Sequence, residues 1–177
     1  IFVYATTEPT EALLLGGNTA ALSQGRVTQF GRTTDVYRRP ADRFVASFVG
    51  DVNVLRGSLR RRSGHTALVC VGDAAFEVPA ETLTGVEQGD AVDVFVRPEH
   101  ITADTPDTPH RLSGTVAAQV FQGDHVDLYV DIPDVARERV LVRSPGVDAM
   151  SLWPVGSRIG LATSPVDITA FPPEDGL

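Results

Sequence analysis

Two hydrophobic rhythms divide the chain. Up to about residue 50, apolar positions recur at helical spacing between short strand-like runs, whereas beyond Asp51 they alternate with polar ones at a period of two. In the first stretch, Ile1 to Ala5 reads as a strand running into a helix. Thr7 is the expected cap of that helix, with Glu8, Pro9 and Glu11 in its first turn and Gly16-Gly17 ending it. Thr19 to Leu22 and Arg26 to Phe30 predict two short strands around Gln24-Gly25. Thr33 or Thr34 then caps a short helix ended by Pro40, and Phe44, Val45, Phe48 and Val49 predict another, stopped by Gly50.

The second stretch predicts strands at Val52 to Leu59, Thr66 to Val71, Ala75 to Val78, Ala91 to Val96, Gly114 to Gln122, Val126 to Ile132, Arg139 to Val142, Arg158 to Ala162 and Asp167 to Phe171. Turn chemistry separates them: Gly72-Asp73, Gly89-Asp90, Gly123-Asp124, Pro133-Asp134 and Pro145-Gly146. Many short strands at this spacing argue for a mainly β fold, a closed or partly closed OB-like barrel. Leu55-Arg56-Gly57-Ser58-Leu59 and Leu112-Ser113-Gly114-Thr115-Val116 recur, which divides the barrel region into two related lobes. Thr102 to Arg111 reads as a solvated loop between them. Residues 1–50, a short α/β piece, and residues 51–177, the barrel, are thus the expected domains.

Composition narrows the chemistry. All fifteen basic residues are arginine, so a phosphate-binding loop ending in Gly-Lys-Ser/Thr is excluded within these 177 residues, as is a lysine base or Schiff base. Net charge is −8, which argues against nucleic acid. No apolar run reaches the roughly 18 residues of a membrane span, so membrane association is expected only through a partner. Cys70, the single cysteine, lies in an apolar run and reads as a buried structural thiol. The chain begins inside an element without a leader-like segment, which suggests a piece of a larger protein whose catalytic part lies upstream.

Several stretches together carry a family resemblance. Thr10-Glu11-Ala12-Leu13, Gln24-Gly25-Arg26-Val27-Thr28-Gln29-Phe30-Gly31 and Val36-Tyr37-Arg38-Arg39-Pro40 with Phe44-Val45-Ala46-Ser47-Phe48-Val49-Gly50 resemble the end of the ATPase domain in ATP-binding-cassette importers of the maltose and sugar-uptake type. Val94-Phe95-Val96-Arg97-Pro98-Glu99-His100-Ile101 and Asp167-Ile168-Thr169-Ala170-Phe171 resemble their transport-associated OB (TOBE) regulatory domain. The resemblance implies a cytoplasmic ATPase subunit, peripheral at the inner membrane face, that uses ATP and Mg, pairs with a second copy and docks on permease subunits. A regulatory protein or the solute itself is a further implied partner, and the sequence around Thr7 is similar to a polyol or glycerol branch. The phosphate loop and catalytic carboxylate are absent here, so this stretch alone is not expected to turn over ATP.

Thr7 stands where the family usually has its switch histidine. It offers a hydroxyl to the γ-phosphate in the complete protein, or it is simply a helix cap. Arg97 and Glu99 are candidate regulatory contacts held by Pro98, the plainer reading being a turn in which both pair with neighbours. His65, His100, His110 and His125 show no metal-ligand spacing, so no metal site is expected. Arg60-Arg61-Arg62 reads as a solvated hairpin end. Trp153 reads as core packing, and Phe95, Phe121 and Tyr129 as strand residues of the same kind. Besides the importer-subunit reading, a free-standing OB-type module for a small oxyanion or sugar remains open, and an oligonucleotide binder is the weakest of the three.

Overall fold

The computed structural model describes residues 2–105, 112–163 and 168–173, which fall into two units, Ile1–Asp51 and Val52–Leu177. In the first, α1 (Pro9–Leu15) is followed by the antiparallel hairpin β1 (Asn18–Ser23) and β2 (Arg26–Arg32), then α2 (Thr33–Arg38) and α3 (Arg43–Phe48). Gln24 and Gly25 both have positive φ, the geometry of a two-residue hairpin turn that follows strand twist. Asp42 caps α3 by accepting the Val45 N–H at 2.8 Å. Ala21, Val36, Val45 and Val49 close a small core with Tyr37 packed against it.

Two expectations for this unit are corrected. Residues 2–6 form no strand, because none of the described residues supplies a ladder partner. Thr7 does not cap α1: the N-cap position is Glu8, and the hydroxyl that receives the Glu8 N–H is that of Thr6, at 2.9 Å. Thr6 in turn donates to Glu11 Oε2 at 2.5 Å, and Tyr4 donates to the same oxygen at 3.0 Å.

The second unit is built from β3 (Asn53–Ser63), β4 (Thr66–Val71), β5 (Ala74–Pro79), β6 (Ala91–Val96), β7 (Ile101–Asp104), β8 (Leu112–Phe121), β9 (His125–Asp131), β10 (Val140–Pro145), β11 (Arg158–Thr163) and β12 (Ile168–Phe171). Short helical turns join some of them: 3₁₀ turns at Glu81–Leu83 and Pro98–His100, and α4 (Ala149–Leu152). The strands form two five-stranded sheets in the orders β12-β6-β3-β4-β5 and β10-β9-β8-β11-β7. Both sheets curl until their edges approach each other, β12 toward β5 and β7 toward β10, giving two OB-like barrels. One continuous core that includes Leu55, Leu59, Leu83, Leu128, Ile159 and Ile168 fills both.

The duplication suggested by the short sequence recurrence is structural. Gly57 of β3 and Gly114 of β8 sit at matching points, each so close to its neighbour strand that a Cβ would meet a backbone carbonyl, Cys70 O at 2.8 Å or Asp131 O at 2.7 Å. Two residues later each strand bulges, between Leu59 and Arg61 and between Val116 and Ala118. Beyond the bulge one polar side chain clamps the next helical turn. Arg62 donates to the carbonyls of Ala80, Leu83 and Val86, and Gln119 donates to those of Met150 and Trp153. Reading Arg60-Arg61-Arg62 wholly as a solvated hairpin end is therefore corrected at Arg62, whose guanidinium donates to three carbonyls.

Each half lends its last strand to the other. β7, which follows β6, pairs with β11 through Ile101↔Thr163, and β12, which follows β11, pairs with β6 through Ile168↔Val96. The expected loop at Thr102 to Arg111 is thus corrected over Thr102 to Asp104, which are strand; 106–111, with His110, and the strand start expected at Asp167 lie outside the described residues. Backbone pairing also crosses between the halves at Leu55↔Ala136, and Arg56 N donates to Val135 O. Next to it, the buried Asn53 amide accepts the Leu141 N–H at 2.7 Å and donates to the Leu141 carbonyl at 2.8 Å, so a side chain stands in for a missing strand beside β10.

Candidate functional site

The strand period places the chemistry of the second unit. On β9, Val126, Leu128 and Val130 face the core, so His125 and Asp127 share the opposite face. Arg143 on β10 lies directly across from Asp127, and its Nε donates to Asp127 Oδ1 at 3.1 Å. Arg143 Nη1 is 3.9 Å from Glu99 Oε2, which reaches in from the turn after β6. His125 stands between two carboxylates, with Nδ1 2.7 Å from Asp124 Oδ1 and Nε2 3.4 Å from Asp127 Oδ1. Five side chains from three segments thereby form one continuous network along the outer face of the second sheet.

Asp127 is 5% exposed despite pointing away from the core, with the Arg143 guanidinium bonded to it across the strands. The Arg143 guanidinium and the His125 imidazole are its ion-pair partners there. Asp124, by contrast, projects into solvent. The hydrogen bond from His125 holds its carboxyl below the usual aspartate range.

Arg97 and Glu99, the anticipated regulatory contacts, flank Pro98 in the turn after β6. Arg97 follows β6 at the start of the Pro98–His100 turn with its side chain buried, and Glu99 joins the charged network through Arg143. His125, Asp127 and Arg143 were not singled out from the sequence. The His-x-Asp spacing in a strand is the signal that puts two of them on one face, but the cross-strand arginine needs the register. The first half offers no counterpart: the matching strand positions are Thr66 and Pro79, paired across β4 and β5.

Thr7 is exposed at the bend before α1, one residue upstream of the Glu8 cap. Its neighbours are organised around Glu11, whose carboxyl is held low first by the Thr6 hydroxyl and then by that of Tyr4, while the Tyr4 phenol is raised by the same contact. A separate groove of about 570 Å³ in the first unit is lined by Leu13, Gly17, Arg32, Thr34, Tyr37 and Arg38, and does not include Thr7. Cys70, expected to be buried, is only half-buried because it falls on the outward face of β4, between the core residues Val69 and Val71. Trp153 packs against the core as expected, but Phe121 is 51% exposed at the end of β8, which corrects its reading as a packed strand residue.

Residues 94–171 match the family model described as the TOBE domain. The chain is 35% identical over 122 residues to the spermidine/putrescine import ATP-binding protein PotA of Pseudomonas fluorescens, covering 69% of this chain and 33% of that protein. It is 31% identical over 167 residues to the protein of the same name from Bacteroides thetaiotaomicron, covering 94% and 33%. It thus spans about a third of the length of these relatives. A crystal structure of the cytoplasmic molybdate-binding protein ModG, with molybdate bound, shares the fold with a TM-score of 0.56 and 16% identity, over 68% of this chain and 96% of that one. Residues 94–171 are thus similar to the TOBE domain, and the chain is similar over most of its length to part of an import ATP-binding protein.

Proposed function

We infer that these residues are the regulatory and dimerising C-terminal region of the ATP-binding subunit of an ABC importer, preceded by the last elements of its ATPase domain. The observation that carries this is the likeness over 167 residues to an import ATP-binding protein, since it runs through both units rather than the barrel alone. In this reading ATP and Mg bind in the longer protein. No lysine is present to meet the phosphates, so these residues do not by themselves fit a metal-bound triphosphate. Thr7 would supply a single hydrogen bond to the terminal phosphate.

The second copy and the permease subunits are the partners, and attachment to them places the subunit at the inner membrane face. No helix among the described residues is long and apolar enough to cross a membrane itself. Glu99, through Arg143, is the regulatory contact: movement of the turn after β6 would be felt at the buried Asp127 within one side-chain length.

The transported solute is a polyamine. The relatives named above are spermidine/putrescine importers, and they support this over the sugar or polyol suggested by the residues around Thr7. The test is uptake by a strain lacking its own polyamine import, carrying the complete coding sequence and its permease partners. ATP-dependent entry of radiolabelled spermidine or putrescine is expected. Entry of glycerol or maltose instead would sink the solute assignment, and uptake of none of them that depends on ATP would sink the importer reading.

The fold shared with ModG favours a second reading, a small-oxyanion binding module. A thermal-shift titration of the chain with molybdate, sulfate and phosphate separates it. A saturable rise with molybdate alone supports that module, and no rise with any of the three removes it.

A further inference from the structure

Bonds at both ends of α2 fix one wall of the groove in the first unit. At its start, the Thr33 N–H donates to Gly17 O at 3.0 Å, and the buried Thr33 hydroxyl donates to the same oxygen at 3.2 Å and meets the Thr19 hydroxyl at 2.8 Å. Just past its end, Gln29 of β2 donates to Arg39 O and accepts the Ala41 N–H, both at 2.9 Å. Val36 anchors the helix between them, in the small core with Ala21, Val45 and Val49. The groove is therefore formed before anything enters it, which spares an occupant the cost of ordering its wall. α2 lines it with Thr34, Tyr37 and Arg38, spaced i, i+3 and i+4 and so on one helical face. Leu13 of α1, the Gly16-Gly17 corner and Arg32 complete the wall.

Charge sets what can occupy it. Acidic residues outnumber arginines 23 to 15 in the chain, yet no aspartate or glutamate lines the groove and two arginines do. Arg32 immediately precedes α2 and Arg38 ends it. Neither guanidinium has an ion pair or hydrogen-bond partner among the described residues, whereas those of Arg62, Arg139 and Arg143 are all engaged. A guanidinium presents a planar pair of N–H donors that matches a carboxylate or phosphate. Beside the two arginines, the half-buried Leu13 and Tyr37 offer apolar surface, which a bare inorganic anion does not use. The volume, about 570 Å³, suits a small molecule.

We propose that this groove binds a small organic anion, a carboxylate or phosphate carried on an apolar body, with Arg32 and Arg38 holding the anionic group and Leu13 and Tyr37 covering the body. A neutral apolar compound leaves both guanidiniums without a partner, and inorganic phosphate leaves the apolar wall wet. Neither Thr7 nor any member of the charged network on β9 and β10 lines the groove. The inference rests on the groove's own residues and is independent of the importer reading.

The test is isothermal titration calorimetry of the full chain with three probes: 1-naphthyl phosphate, 1-naphthol and inorganic phosphate. One-to-one binding of 1-naphthyl phosphate is expected, about tenfold tighter than either of the others. The double variant Arg32→Gln, Arg38→Gln should weaken 1-naphthyl phosphate about tenfold and leave 1-naphthol within twofold, while Leu13→Asn should weaken both naphthyl probes several-fold. No binding of 1-naphthyl phosphate at millimolar concentration overturns the proposal, as does binding that the double variant leaves unchanged or an equal loss of both naphthyl probes in it. Should the double variant lose its fold by circular dichroism, Arg38→Lys, which keeps the charge but not the planar fork, must still weaken 1-naphthyl phosphate about threefold, and an unchanged affinity counts against the proposal. The product of the complete coding sequence is titrated in the same way. Loss of the arginine-dependent binding there would show that residues outside this chain fill the groove, and overturns the proposal.

Discussion

Asn53→Ala should cost the second unit far more than the loss of one surface amide. Asn53 is 6% exposed, and its side chain both accepts from and donates to Leu141, the role a neighbouring strand would play beside β10. Alanine removes both bonds and leaves the Leu141 N–H and C=O facing a small void. Leu141 itself is half-buried, so water recovers part of the loss. The net expectation is about 2–3 kcal/mol, from two bonds at ~1 kcal/mol each plus a partial desolvation penalty. Trp153 is the only tryptophan and lies in this unit, so its fluorescence in urea reports the relevant transition. With an m-value of about 1.5–2 kcal/mol/M for a unit of this size, the midpoint should fall by roughly 1–2 M. A fall below about 0.3 M at unchanged m would refute the idea that Asn53 joins the halves. Asn53→Asp sharpens the test. Its carboxylate accepts the Leu141 N–H but confronts the carbonyl, so burial should raise its pKa above the unfolded value of about 3.9. The stability gained from the neutral acid is then present below that unfolded value and lost as pH rises through the folded one, so the aspartate variant should gain on the alanine variant as pH falls.

Gly114→Ala would place a Cβ 2.5 Å from Val130 Cγ1, and Gly57→Ala would place one 2.9 Å from Val69 Cγ1, so each should lower stability by about 1–3 kcal/mol in the same urea assay; a neutral result at either would mean the strands yield more freely than they pack. Gln119→Ala should release the α4 turn and speed amide hydrogen exchange at Met150 to Trp153 while leaving Glu81 to Leu83 protected, and Arg62→Ala should do the reverse. His125→Ala should raise the Asp124 pKa toward the ordinary aspartate value, seen by carboxyl NMR. Because the folded value is depressed, the contribution of Asp124 is present above its unfolded pKa and lost as pH falls through the folded one, and an unmoved titration would show that His125 is not the cause. In the complete transporter, Thr7→His should raise ATP turnover if Thr7 is a weakened phosphate contact, and an unchanged rate would leave it a surface threonine.

Local alternation made most strands of the barrel region legible, because each of them shows apolar residues to one core at every second position. β7 escaped for a non-local reason. It is four residues long, its burial pattern is mixed, and its partner β11 lies nearly sixty residues downstream in the other half, so no neighbouring pattern announces it. Ile1 to Ala5 erred the other way: β-branched and aromatic residues satisfy strand propensity, but propensity supplies no hydrogen-bond partner. Thr6, not Thr7, receives the Glu8 N–H and reaches Glu11, a choice between adjacent threonines that composition cannot make. At the charged network, Glu99 was visible as part of an Arg-Pro-Glu segment, whereas Arg143 became relevant only once β10 was set in register against β9. The Arg62 and Gln119 clamps were hidden for a related reason, since they look like solvent residues until the carbonyls they serve are placed.

The loan of β7 and β12 between the halves makes the barrels mechanically inseparable. Neither sheet can open at that edge without withdrawing a strand from its twin, so the pair should rupture under load in one event rather than two. The two halves share this frame and differ in the side chains hung on it: Thr66 and Pro79 stand where the second half has Asp127 and Arg143.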